Sequence, residues 1–265
     1  MARTSGRLPS MIDRSEHCAI AVMAKAPRVG EAKTRLVPPL TPAEAARLSA
    51  RFIRDAAENI AAASRQAMIE GYIAYSPPDA AAEFATLVAD GTCLLPSRRG
   101  GLAASLYDAV EDLLGAGYGS VCLVNSDSPS LPTSLLVEAA RALAFPGDRV
   151  VLGPAEDGGY YLIGLKRAHA RLFEDIAWST PLVFQQTVER AREIGFEPVL
   201  LPVWYDVDDI DSLRRLHAEL LGGSDRNDRG AGYAATHTAT FLRELFHEDS
   251  GRQLGFGSAV ASARP

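Results

Sequence analysis

Three observations predict an α/β fold built on a mostly parallel sheet. Apolar, β-rich runs alternate with helical patterns along most of the 265 residues. The run Ser120-Val121-Cys122-Leu123-Val124-Asn125 is apolar almost throughout, as a strand covered on both faces must be. Charged and glycine-containing segments follow the strands, where α/β proteins build their sites.

Taken in order, Ala19-Ile20-Ala21-Val22-Met23-Ala24 is the first strand, and it enters a basic loop running from Lys25 to Leu36. Thr41-Pro42-Ala43-Glu44 then supplies an N-cap, a proline at the first helical position and a glutamate at the third, opening an alanine-rich helix to about residue 64. A strand over 68–75 stops at Pro77-Pro78. A short helix over 80–89 and a short strand over 92–95 follow, and Gly100-Gly101 opens a helix to Leu114. After the central strand, Leu131-Pro132-Thr133 starts a helix to about 144. Strands at 149–153 and 160–165 flank a carboxylate-glycine turn. A helix over 180–194, a strand over 197–203 and a helix over 209–221 complete the domain. Residues 222–235 read as a flexible linker and about 237–247 as a last helix. The division is a disordered tail over 1–15, one α/β domain over 16–221, and a linker, helix and tail over 222–265.

Hydrophobic residues at 47% and charged residues at 23% are ordinary for a chain with a real core. A formal net charge of -6 argues against nucleic acid as a partner. Cys18, Cys93 and Cys122 have neither metal-ligand nor disulfide-framework spacing and read as reduced core thiols. No apolar run reaches the length of a membrane span, and the N-terminal stretch is a poor signal peptide, so a cytoplasmic protein is expected. The five histidines show no ligand spacing and read as surface residues.

Four segments carry candidate chemistry. The basic loop holds Lys25, Arg28, Lys33 and Arg35 with one carboxylate, Glu31, and suits a polyanion such as phosphate; a solvated surface loop is the plainer alternative. It is neither a Rossmann glycine fingerprint nor a P-loop, since Pro27 and Ala32 stand where the P-loop needs glycine. Asn125-Ser126-Asp127-Ser128-Pro129 puts an aspartate just past the central strand, suited to Mg²⁺ or to capping a turn. Glu156-Asp157-Gly158-Gly159 offers two carboxylates on a turn that a ligand can approach closely, although Asp-Gly is also a hairpin signal. Asp206, Asp208, Asp209 and Asp211 crowd four carboxylates together, which repel unless a cation is present; capping of the next helix is the plainer use, and both fit if Asp208 faces a metal while Asp209 or Asp211 serves the helix.

These stretches, in the order Met23-Ala24-Lys25-Ala26-Pro27, Lys33-Thr34-Arg35-Leu36, Asp127-Ser128-Pro129, Gly153 to Leu162, Trp178-Ser179-Thr180 and Asp206-Val207-Asp208, resemble the DUF2064 family. That family is related to 2-phospholactate guanylyltransferase and the molybdenum-cofactor nucleotidyltransferases. The resemblance spans about residues 18–220. It implies a GT-A (nucleotide-diphospho-sugar transferase) fold, a Rossmann-like three-layer sandwich. It implies phosphate contacts from Lys25, Lys33 and Arg35, and Mg²⁺ or Mn²⁺ held by Asp127 and Asp208. Two departures are Asn125-Ser126, where a glycine and threonine are common, and Ala103 after Gly101-Leu102, where guanylyl-transferring relatives carry asparagine.

The expected activity is therefore metal-dependent transfer from a nucleotide-activated donor to a small-molecule acceptor. Asp127, Glu156 and Asp157 are the catalytic candidates, and Lys25, Arg28, Lys33, Arg35, Gly158 and Gly159 the phosphate-binding ones. A nucleotide sugar is the first choice of donor, a nucleoside triphosphate with pyrophosphate release the second, and a non-catalytic nucleotide-binding protein the reading from another class. Oligomeric state, base, sugar and acceptor are left open by the sequence.

Overall fold

The computed structural model describes residues 13–88, 92–98, 100–222 and 232–248. Among the described residues seven strands form one sheet: β1 Cys18–Lys25, β2 Ile69–Ser76, β3 Cys93–Pro96, β4 Ser120–Asn125, β5 Val150–Pro154, β6 Tyr160–Leu165 and β7 Val199–Leu200. Their spatial order is β3-β2-β1-β4-β6-β5-β7. β1 pairs in parallel with β2 and β4, and β2 with β3. β6 runs antiparallel between β4 and β5, which is why the sheet is mixed and not wholly parallel.

The helices are α1 Pro42–Ser64, α2 Ala81–Leu87, α3 Leu102–Gly115, α4 Thr133–Ala144, α5 Val183–Glu193, α6 Ile210–Leu221 and α7 Thr236–Glu248. Period-2 alternation divides the strands between two apolar layers. Ile20, Val22, Cys122 and Val124 face a core built with Phe52 and Ile60 of α1, Leu136 and Leu143 of α4, Leu216 of α6 and Leu242 of α7. Ala19, Ala21, Val121 and Leu123 face the other layer, with Leu106, Val110 and Leu113 of α3 and Ala191 of α5. The result is a three-layer α/β sandwich.

The capping box forms as the sequence spells it: Glu44 N–H donates to Thr41 Oγ1, and the Glu44 carboxylate accepts from Thr41 N–H at 2.7 Å. At the other end of the chain, the strand expected over 197–203 contracts to Val199–Leu200. Pro198 and Pro202 bracket it, and neither can donate to a ladder. Trp204 then makes an isolated bridge to Ala155, continuing the pairing toward the site.

Cys18 and Cys122 are buried free thiols with sulfurs 3.7 Å apart on neighbouring strands, whereas Cys93 is only half-buried. Part of the expected N-terminal tail (1–12) and most of the expected linker (223–231) lie outside the described residues. Arg14 pairs with Glu70 at 3.3 Å and stacks on Tyr118. After the linker, α7 packs on α1: buried Asp55 accepts from the backbone N–H groups of His237 at 3.0 Å and Thr238 at 2.8 Å, at the start of α7. No helix among the described residues is long and apolar enough to cross a membrane.

Candidate active site

Topology gathers the chemistry-bearing segments at one end of the sheet. β1 and β4 are parallel neighbours, so the loops that follow them leave from the same edge. β6 is antiparallel to β4, so the turn preceding it lies at that edge too. The Ala155–Trp204 bridge brings residues 205–208 alongside. Val207 N–H donates to the Asp127 carbonyl at 2.8 Å and fixes the two aspartate-bearing segments to each other.

The basic loop is anchored by Leu36, which is fully buried and closes a short 3-10 turn over Thr34–Leu36. Lys33 precedes it in the left-handed region, φ 49° and ψ 43°, a conformation that side-chain-bearing residues seldom adopt. That backbone turn sends its side chain inward over the Phe52 ring, 5.4 Å from the centroid. The ammonium lies 2.7 Å from Asp127 Oδ1, 2.9 Å from Asp208 Oδ1 and 2.7 Å from the Val207 carbonyl. Burial works against its charge, but Asp127 and Asp208 outweigh burial and raise its pKa above the ordinary lysine value. Arg35 reaches the same place from outside, 4.0 Å from Asp208 Oδ2, with its side chain exposed.

Asp206 is the site residue that sequence reasoning did not single out. It is half-buried, and burial, then Asp157, Asp208 and Asp127, push its carboxyl up to about 6. The signal was present in the run of four aspartates, where the sequence pointed to Asp208 rather than Asp206 as the residue facing inward. Asp209 turns out to serve the helix: it caps α6, accepting from Ser212 N–H at 2.8 Å.

The remaining candidates divide. Asp157 is the largest charged contributor, after burial, to the raised Asp206 carboxyl, while its own Oδ1 accepts from Gly159 N–H at 2.8 Å. Glu156 turns away to Arg215 on α6 at 2.6 Å, and Arg215 lies over the Tyr205 ring. Arg28 is directed to Glu83 of α2 at 2.6 Å, on the outside of the loop. Lys25 ends β1 with its side chain exposed. Gly158 N–H donates to the Ala155 carbonyl, so the N–H groups of both glycines are taken up inside the β5–β6 hairpin turn and neither is directed at a phosphate. Gly158 is needed for a packing reason: its φ is +90°, and a Cβ there would lie 2.2 Å from the Pro181 carbonyl oxygen.

The donor set fits a divalent cation on charge. Asp127 and Asp208 pair with Lys33, and Arg35 stands beside Asp208; Asp157 adds a carboxylate near enough to raise the Asp206 carboxyl after burial does. Among the described residues, a compact three-ligand cluster within 4.8 Å occurs elsewhere, at Asp55, Glu58 and His237. There the Asp55 carboxylate already caps α7 and His237 Nε2 pairs with Glu58 at 2.6 Å.

Comparison with known proteins agrees with this architecture. A provisionally named nucleotide-diphospho-sugar transferase from Desulfovibrio desulfuricans G20 superposes with a TM-score of 0.73 at 29% identity, covering 87% of this chain and 95% of that one. The 4-diphosphocytidyl-2C-methyl-D-erythritol synthase of Anaerococcus prevotii DSM 20548 shares the fold at a TM-score of 0.51 and 10% identity, over 78% of this chain and 99% of that one. A search of curated proteins finds no match. The chain thus carries the nucleotide-diphospho-sugar transferase fold, and its residues 56–180 match the family described as "Uncharacterized protein conserved in bacteria (DUF2064)".

Proposed function

We propose that this protein is a transferase that takes a nucleotide-activated donor, with a nucleotide sugar as that donor, and passes the sugar to a small-molecule acceptor. The observation that carries the reading is the convergence of Lys33 and Arg35 with Asp127 and Asp208 at the sheet edge. The similarity to a provisionally named nucleotide-diphospho-sugar transferase favours the sugar over a bare triphosphate.

Arg35, exposed beside Asp208, is in reach of solvent-borne phosphate and contributes charge there. A Mg²⁺ or Mn²⁺ held by Asp127 and Asp208 would supply Lewis-acid stabilisation of charge developing on the leaving phosphate. Asp157, on the turn before β6, is assigned to the acceptor side, and Glu156 joins it by releasing its ion pair with Arg215. A carboxylate of this pair takes the acceptor hydroxyl proton as its oxygen bonds to the anomeric carbon. The bond from that carbon to the phosphate oxygen breaks, and the nucleoside diphosphate leaves with the electron pair.

The test is a panel of nucleotide sugars and nucleoside triphosphates incubated with the full-length protein and Mn²⁺. Release of nucleoside diphosphate and free sugar supports glycosyl transfer. Pyrophosphate release from a triphosphate would replace it with nucleotidyl transfer. Metal-independent nucleotide binding that survives Asp127→Ala, with no turnover, would leave only a binding protein.

A further inference from the structure

We propose that Lys33 is an exchangeable counter-ion, holding Asp127 and Asp208 in the free protein and turning to the donor phosphate when a divalent cation takes those carboxylates. The proposal rests on the metal–nucleotide reading above and adds an order of events to it. A lysine ammonium has three N–H donors. The ammonium is engaged on three sides: it donates to the Val207 carbonyl at 2.7 Å and to Asp208 Oδ1 at 2.9 Å, and it pairs with Asp127 Oδ1 at 2.7 Å. A role in phosphate binding requires Lys33 to give up at least one of these contacts.

The layering of the site supplies the route. The Lys33 side chain is only 6% exposed, whereas Asp127 and Asp208 are 36% and 40% exposed. A cation arriving from solvent therefore meets the carboxylates first and the ammonium behind them. The two positive groups compete for the same carboxylates, and their mutual repulsion weakens metal binding while the ammonium stays in place. The left-handed backbone of Lys33 makes its present state a held one, which the loop leaves when the carboxylates are taken. Free protein should then bind metal weakly, and phosphate should strengthen it by accepting the displaced ammonium.

The experiment titrates Mn²⁺ alone into full-length wild type, Lys33→Gln, Lys33→Arg and Asp127→Asn, following free Mn²⁺ by electron paramagnetic resonance, and repeats each with inorganic pyrophosphate. The expected result is Mn²⁺ affinity about tenfold higher in Lys33→Gln, unchanged in Lys33→Arg and lost in Asp127→Asn. Equal or weaker binding by Lys33→Gln, with wild type binding at Asp127, would overturn the exchange while leaving the metal site standing. No Mn²⁺ binding by any form, even with pyrophosphate, would overturn both. A second measurement needs no variant: the acylation rate of Lys33 in wild type, read by mass spectrometry, should rise severalfold on adding Mn²⁺. An unchanged rate in Mn²⁺-loaded protein would overturn the exchange.

Discussion

Lys33 Nζ lies 2.7 Å from Asp127 Oδ1, tying the loop after β1 to the loop after β4 across two adjacent parallel strands. The pair is asymmetric, with a buried cation and a carboxylate about a third exposed. Solvent screening limits what such a pair adds to stability. A double-mutant cycle of Lys33→Ala and Asp127→Ala, read by urea unfolding, should return a coupling of about 1 kcal/mol. Transfer activity should fall far more, about a hundredfold or beyond in either single variant.

The four loop cations should not behave alike. Arg28 is held by Glu83 on the outer side, whereas Arg35 stands beside Asp208. Arg28→Ala should change donor affinity less than about twofold, and Arg35→Ala should weaken it about tenfold, as loss of one charge-assisted phosphate contact does. Isothermal titration with the active nucleotide checks both, and equal effects would mean that the loop acts as an undifferentiated basic surface.

Glu156 separates stability from chemistry. Its ion pair with Arg215 is substantially exposed on both sides, so Glu156→Gln should cost less than about 1 kcal/mol in urea unfolding. A drop in turnover at unchanged stability and donor affinity would assign it to the acceptor; unchanged turnover would remove it from the catalytic set.

Gly158→Ala should destabilise by about 2 kcal/mol or more, because a positive φ and the Pro181 backbone both oppose a Cβ. The same measurement on Gly30→Ala isolates the conformational part. Gly30 shares the positive φ, at +82°, but has nothing within 4 Å of its would-be Cβ. A smaller loss at Gly30 than at Gly158 is expected.

Asp55 gives a pH dependence with a definite sign. Burial holds its carboxyl above the ordinary aspartate value, against the lowering effect of the α7 backbone N–H groups it accepts. The folded state then binds more protons than the unfolded state in the window above pH ~4. Its contribution is largest below that window and is lost as pH rises through the folded value. The stability of Asp55→Asn relative to wild type, from urea unfolding at acid and neutral pH, should therefore improve as pH rises; the opposite trend would contradict the burial argument.

Much of this was legible in the sequence because it depends on local chemistry. The α1 capping box is written in Thr41 and Glu44, and the central strand in the apolar run over 121–124. Asp127 was legible because it follows that strand directly. What was not legible depends on three-dimensional partners. Lys33 and Arg28 are equivalent cations in the sequence, and only the left-handed turn at Lys33 and the presence of Glu83 send them in opposite directions. The cap was legible to within Asp209 or Asp211, and Ser212 selects Asp209, whereas the place of Asp206 emerges only once Val207 is pinned to Asp127. The hairpin role of Gly158 depends on Pro181, which no spacing rule links to it.

The most direct test of the account is a crystal of the full-length protein soaked with the active nucleotide and Mn²⁺, with the metal located by anomalous scattering. A single Mn²⁺ is expected between Asp127 and Asp208, with the phosphates beside it and Lys33 Nζ turned toward them. Manganese at Asp55, Glu58 and His237 instead, or nucleotide bound away from the loops after β1 and β4, would contradict it.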